Sequence, residues 1–230
     1  MRGVLARWAV HRLATRSATA IVAIAAAVIA TVAAAPAGAQ LAPDTPRLIS
    51  PHASGGLGVY QLRADALPGD GSALLVTWAM PGLPPGVRWR AATGRGVGGS
   101  SAAMLGADAQ SPLHRASAAL PIDLEWQSGI GVSAGEYTLV TMPVGLSGGI
   151  AWSAGGVWLA PYANAGITAD LRVGTDAPSE EFAVVGTFDV GLDLSFGTER
   201  TIVLRTAAAL GQRKAVTLGL TFGLDARRSP

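Results

Sequence analysis

Residues 157–173, VWLAPYANAGITADLRV, decide the fold. Val157, Leu159, Pro161, Ala163, Ala165, Ile167, Ala169, Leu171 and Val173 are all apolar, and the positions between them include Tyr162, Asn164, Thr168, Asp170 and Arg172. A period of two marks a strand whose two faces meet two different environments. Residues 182–196 repeat the pattern. Phe182, Val184, Phe188, Val190, Leu192, Leu194 and Phe196 share one face with Gly186, against Thr187, Asp189, Asp193 and Ser195.

The alternation continues on both sides. Ile202, Leu204, Ala208 and Leu210 oppose Arg205, and Val216, Leu218, Leu220, Phe222 and Leu224 oppose Ala215, Thr217, Gly219, Thr221 and Gly223. Upstream, Ile122, Leu124, Trp126, Ile130 and Val132 oppose Asp123, Glu125 and Gln127, while Val140, Met142, Val144, Leu146, Ile150 and Trp152 oppose mostly small residues. Seven charges fall inside these six segments, Asp123, Glu125, Asp170, Arg172, Asp189, Asp193 and Arg205, and all sit on the polar face. Strands of soluble proteins usually stop at about five or six residues. Strands that span a bilayer need about 9–11.

The first half carries a fainter version. Residues 56–65, 73–80, 87–95 and 100–109 read as strands; Leu74, Val76, Trp78 and Met80 share a face, and Val87, Trp89, Ala91 and Thr93 oppose Arg88 and Arg90. Gly- and Pro-rich breaks separate the segments, giving about ten strands, or eight if the first pair does not span. The connection 110–121 is long for a turn on the inner side, where a ten-strand count places it.

So many apolar faces cannot all turn inward, because too little other chain exists to cover them. Hydrocarbon can cover them, and in hydrocarbon every backbone N–H and C=O must find a partner within the protein. Closing the sheet removes its edges and meets that demand. Gly129, Gly131, Gly145, Gly191, Gly219 and Gly223 on the polar face suit a narrow, filled interior.

The N-terminal end reads differently. Residues 1–17 carry Arg2, Arg7, Arg12 and Arg16 and no acid; residues 18–35 are apolar; Pro36 breaks the run, and Ala37, Gly38 and Ala39 give a small-x-small cleavage pattern. This is the layout of a helical secretory signal peptide over residues 1–39, cut after Ala39. Residues 40–54, with three Pro, read as a flexible lead-in, residues 55–224 as the barrel, and residues 225–230 as a tail. Removing the four leader Arg from 17 Lys+Arg leaves 13 against 15 Asp+Glu, so charge gives a nucleic-acid partner no support. The chain has no Cys, which excludes disulfides, thiol catalysis and a lipoprotein anchor.

The leader, the repeated amphipathic strands and the terminal stretch TLGLTFGL, residues 217–224, resemble the small bacterial outer-membrane β-barrel protein family. The resemblance implies an all-β, closed antiparallel transmembrane barrel in the outer membrane, porin-like in build. Its expected partners are outer-membrane lipid, periplasmic chaperones and the barrel assembly machinery. Thr217, Gly219, Phe222 and Leu224 match the family's assembly signal, except that Leu224 stands where an aromatic is usual and residues 225–230 run past it.

Arg63, Arg88, Arg90, Asp123, Glu125, Asp170, Arg172, Asp189, Asp193 and Arg205 are expected to form a charge network in the lumen, since pairing there offsets desolvation. The expected role is structural or surface-interacting, with a largely plugged lumen and no enzymatic activity. A narrow channel for small solutes is the alternative, and a lipid-modifying enzyme a second one. Catalysis would have to use His114 with Ser111 or Ser117, a set without a fixed partner. No cofactor or metal motif is present, and Gly94, Gly96, Gly98 and Gly99 read as a hairpin turn rather than a phosphate loop. The oligomeric state is left open. Trp78, Trp89, Trp126 and Trp152 fall on the apolar face, Trp152 beside a turn as in an interfacial girdle, while Trp158 and Tyr162 fall on the polar one.

Overall fold

The alternating segments pair in sequence order. The computed structural model describes residues 40–52, 56–64, 72–79, 86–95, 101–174, 181–196 and 201–223. The strands are β1 (Gly56–Ala64), β2 (Ser72–Trp78), β3 (Val87–Arg95), β4 (Ser101–His114), β5 (Asp123–Ala134), β6 (Thr138–Gly149), β7 (Trp152–Ala154), β8 (Val157–Val173), β9 (Phe182–Phe196), β10 (Ile202–Gly211) and β11 (Ala215–Gly223). Neighbours in the chain pair antiparallel, and β1 pairs with β11 along its whole length, from Gly56 opposite Gly223 to Ala64 opposite Ala215. The three-residue β7 resumes the β6 arm after a short break and pairs with the start of β8, which also pairs with β6. The result is a closed antiparallel barrel of ten staves, and the first pair of strands belongs to it.

The end carrying Gly56 and Gly223 is taken as the lower end. There β7 turns into β8 through Gly155 and Gly156, both at positive φ (59° and 81°), the backbone that a two-residue hairpin requires. No connection between the described strands exceeds eight residues. Strand β4 runs five residues further than the sequence pattern indicates, to His114, with a register shift between Pro112 and His114. The expected connection 110–121 therefore shrinks to residues 115–122. Pro112 and the serine at 111 hid the continuation, because they break the apolar alternation without ending the ladder.

Side-chain direction follows the alternation. Along β8 and β9 the apolar series points outward, with Phe182 61% and Val184 58% exposed, while Asn164, Thr168, Asp189 and Asp193 point inward and are 2% exposed or less. A soluble barrel would show the reverse. Trp158 and Tyr162 point into the lumen and are buried. Arg63 departs from expectation: β1 turns Tyr60 and Leu62 inward and Arg63 outward, one residue from the upper end of the strand. There a long stem would let a guanidinium reach the rim while its methylenes lie on the wall. The lumen network therefore loses Arg63.

The largest departure concerns residues 40–54. Residues 40–52 carry no helix or strand, as a lead-in would, yet they lie inside the barrel and are almost entirely buried. Leu41 and Leu48 pack with Tyr60, Leu62, Ala73, Leu75, Ala92, Ala102, Met104, Ala207, Ala209 and Ala215, an apolar cluster lining the upper lumen on the β10–β4 side. Residues 1–39, with Ala37 and Ala39 of the proposed cleavage pattern, and residues 224–230, with Leu224, lie outside the described residues.

Candidate functional site: the threaded lumen

Backbone buried without a ladder needs partners for each polar group. Residues 40–52 meet part of this demand in two ways. Pro43, Pro46 and Pro51 remove three donors. The wall then supplies donors to the carbonyls. Arg90 Nη2 donates to Pro46 O (2.8 Å), Arg88 Nη2 to Arg47 O (2.9 Å), Arg205 Nη1 to Leu48 O (3.2 Å) and Ser147 Oγ to Ile49 O (3.0 Å). Arg115 Nη1 donates to Pro51 O at 3.1 Å. Four consecutive carbonyls are thus held from three strands, β3 twice and β6 and β10 once each.

Side chains fix the same segment along its length. At the upper end Gln40 Nε2 donates to Ser133 Oγ (2.7 Å). Asp44 accepts from Thr168 Oγ1 (2.6 Å) and Arg213 Nη1 (2.7 Å), and the other arm of Arg213 bonds Asp170. In the middle the Arg47 amide donates to Asp189, and its guanidinium lies 3.5 Å from Asp108. At the lower end His52 Nδ1 faces Asp123 Oδ2 at 3.4 Å, and its ring meets Trp158 edge-on. Gly131 and Gly149 make room: a Cβ on Gly131 would collide with Pro43, and one on Gly149 would lie 3.1 Å from His52 Nε2.

The strongest wall contact is bidentate. Arg205 Nε and Nη2 donate to Asp193 at 2.6 and 2.7 Å, with both residues buried and the guanidinium over the Tyr162 ring. A Cβ on Gly191 would strike that ring, so glycine is what admits Tyr162. Among the described residues seven acids in the lumen and its mouths (Asp44, Asp108, Asp123, Glu125, Asp170, Asp189, Asp193) stand with seven Arg (Arg47, Arg88, Arg90, Arg115, Arg172, Arg205, Arg213). The interior is charge-balanced, as desolvated ions must be.

The structure brings together Arg88, Arg90, Asp123, Glu125, Asp170, Arg172, Asp189, Asp193 and Arg205 of the expected network, and leaves out Arg63. Sequence reasoning missed Asp44, Arg47, Asp108, Arg115 and Arg213. Asp108 had a signal, since it follows Ala102, Met104 and Gly106 at a spacing of two on the inward face of β4. Thr217 points inward and Phe222 outward on β11, with Gly219 closing against Tyr60.

At the two ends of the barrel, off the strands, the pKa values of His52 and Arg213 are displaced. Burial lowers that of His52 below its ordinary value, against the opposing pull of Asp123 and Asp193. Burial also works against the Arg213 charge, but Asp44 and Asp170 more than offset it and hold its pKa above the ordinary value. His114 Nε2 lies 3.4 Å from Leu120 O, and Ser117 Oγ accepts from the Leu120 amide. Among the described residues no group of three His, Asp or Glu is arranged for a metal.

No family model matches the chain, and no curated protein matches it. Solved structures with a similar course of chain include the β domain of the Bordetella autotransporter BrkA, with TM-score 0.48, 14% identity, and coverage of 75% of this chain and all of that one. The KdgM porin in complex with disordered oligogalacturonate gives TM-score 0.35, 9% identity and coverage of 73% and 98%. Ail, the attachment invasion locus protein of Yersinia pestis, gives 0.26, 15%, and 74% and 94%.

Proposed function

We propose that this chain is an integral outer-membrane β-barrel whose lumen is closed by its own N-terminal segment, and that it serves envelope structure without enzymatic activity. The membrane reading rests on the outward faces. Exposed Leu, Val, Ile and Phe side chains circle the wall, and a charge placed among them would cost about 2–4 kcal/mol at mid-bilayer. The outward Trp78, Trp89, Trp126 and Trp152 all lie within four residues of the lower ends of their arms, as an interfacial girdle would.

The closed-lumen reading rests on one observation: the carbonyls of Pro46, Arg47, Leu48 and Ile49 are each taken by a wall side chain, so the segment is seated rather than loosely inserted. Short connections at both ends leave little to protrude, which favours a structural role over capture by long loops. Purified protein in planar bilayers is expected to show no steady conductance. A steady conductance that Arg88→Ala alters would overturn this reading in favour of a narrow channel. Lipid hydrolysis lost on His114→Ala would overturn the non-enzymatic one.

A further inference from the structure

The segment in the lumen has a direction. Its lower end is at His52, against Asp123 at the foot of β5, four residues before β1 begins at the same end. Its upper end is at Gln40, against Ser133 and the Tyr137 amide at the head of β5 and in the turn beyond. Asp123 and Ser133 are ten positions apart on one strand, about 33 Å at about 3.3 Å per residue. Twelve residue steps separate Gln40 from His52, a reach of about 40 Å when extended. The segment therefore traverses the barrel nearly end to end, and contacts at the middle (Arg47 with Asp189 and Asp108) exclude a hairpin that returns to its starting end.

We infer that residues 40–52 cross the membrane inside the barrel, one crossing more than its ten staves, so that residue 40 faces the outside. This rests on the outer-membrane reading above, in which an even number of strands keeps the lower end, with the start of β1 and the end of β11, on the inner side. The thread is an eleventh crossing, made inside the barrel, and it places residue 40 and the end of β11 on opposite sides. At the upper mouth Gln40, Leu41, Ala42 and Thr45 form part of the wall of a cavity of about 430 Å³, completed by the turn that carries Arg213. The outer surface is thus built in part from the N-terminal segment, not from strand connections alone.

The absence of Cys makes the test direct, because a single introduced thiol is the sole site for a maleimide. Ala42 is partly exposed in the upper cavity, Glu136 is exposed in the upper turn, and Ala154 is exposed at the lower hairpin. Full-length Ala42→Cys, Glu136→Cys and Ala154→Cys are expressed separately, checked for a heat-modifiable folded band, and exposed in intact cells to a membrane-impermeant maleimide. Ala42→Cys and Glu136→Cys are expected to label from outside, and Ala154→Cys only after the outer membrane is opened. If Glu136→Cys labels outside but Ala42→Cys and a second variant, Gln40→Cys, label only after opening, the crossing is overturned while the barrel reading stands. If Ala154→Cys alone labels outside, the barrel is inverted and the outward placement is overturned; if no variant fractionates with the outer membrane, the membrane reading falls and the outward placement falls with it.

Discussion

The wall and the thread solve the same problem by opposite means. Each strand of the wall satisfies its backbone with the backbone of its neighbours, so its side chains are free to sort by environment, apolar outward and polar inward. The thread has no backbone neighbour. It discards donors at three prolines and takes its acceptors' partners from Arg88, Arg90, Arg115, Arg205 and Ser147. A ladder tolerates most substitutions that respect the pleat. A segment held by individual guanidiniums depends on each of them, and each guanidinium depends on its carboxylate.

The largest effect is expected where the two systems share a residue. Arg205 joins Asp193 to the Leu48 carbonyl, and Leu48 itself sits at φ 55°, a left-handed backbone that the buried cluster and this hydrogen bond hold in place. Arg205→Ala leaves Asp193 buried without its partner, at about 3–5 kcal/mol. The temperature at which the folded band gives way in SDS should drop accordingly. The double change Arg205→Met with Asp193→Leu should recover most of that loss and leave the thread loosened, which separates the wall's ion pair from the thread's hydrogen bond.

Next comes a change that touches the wall alone. Val144 lies outward in the middle of β6 and is half exposed. Val144→Arg should cost about 2–4 kcal/mol in lipid, read as a lowered denaturant midpoint in vesicles. The thread should stay seated, with conductance still absent. Arg63→Leu, by contrast, should leave stability nearly unchanged, since Arg63 sits outward at the upper rim and has no buried partner among the described residues.

A change of the opposite kind touches the thread alone. Gly131 faces Pro43, and any Cβ there collides with the proline ring. Gly131→Val should force Pro43 away at a cost of about 1–3 kcal/mol, typical of overpacking. The strand itself should tolerate valine, a good strand former. The expected readout is a folded barrel with new, noisy conductance. A silent Gly131→Val barrel of unchanged stability would mean that the thread is not in contact with β5.

How much of this could be read from the sequence follows from the same contrast. The wall was legible because its outward environment is uniform: every outward position of β8 and β9 obeys one rule, so residues 157–173 and 182–196 announce their faces. Arg63 was misplaced because β1 is apolar on both sides, with Tyr60 and Leu62 inward and Leu57 and Val59 outward, so alternation carries no sign there. The thread was illegible because its partners are scattered over residues from Arg88 to Arg213, and no local period records them. Its three prolines read as a turn-rich leader, when their use is to spare buried donors.

The smallest effect tests where the thread leaves the lumen. His52 is buried against Trp158 and Gly149, and burial lowers its pKa below the ordinary value of about 6.5 despite Asp123, with Asp193 also favouring the charge and Arg115 opposing it. A base whose folded pKa lies below its unfolded one binds fewer protons when folded, so its contribution is intact above about pH 6.5 and declines as pH falls below that value toward the folded pKa. Acidification from pH 7.5 to 5 should therefore loosen the lower end of the thread first, visible as faster hydrogen exchange of the backbone around His52 while that around Arg47 holds. His52→Phe keeps the edge-on ring contact and removes the titration, so it should flatten that response. Equal loosening at Arg47 in the same pH range would instead place the sensitive group among the lumen carboxylates, and the two ends of the thread would then no longer be independent.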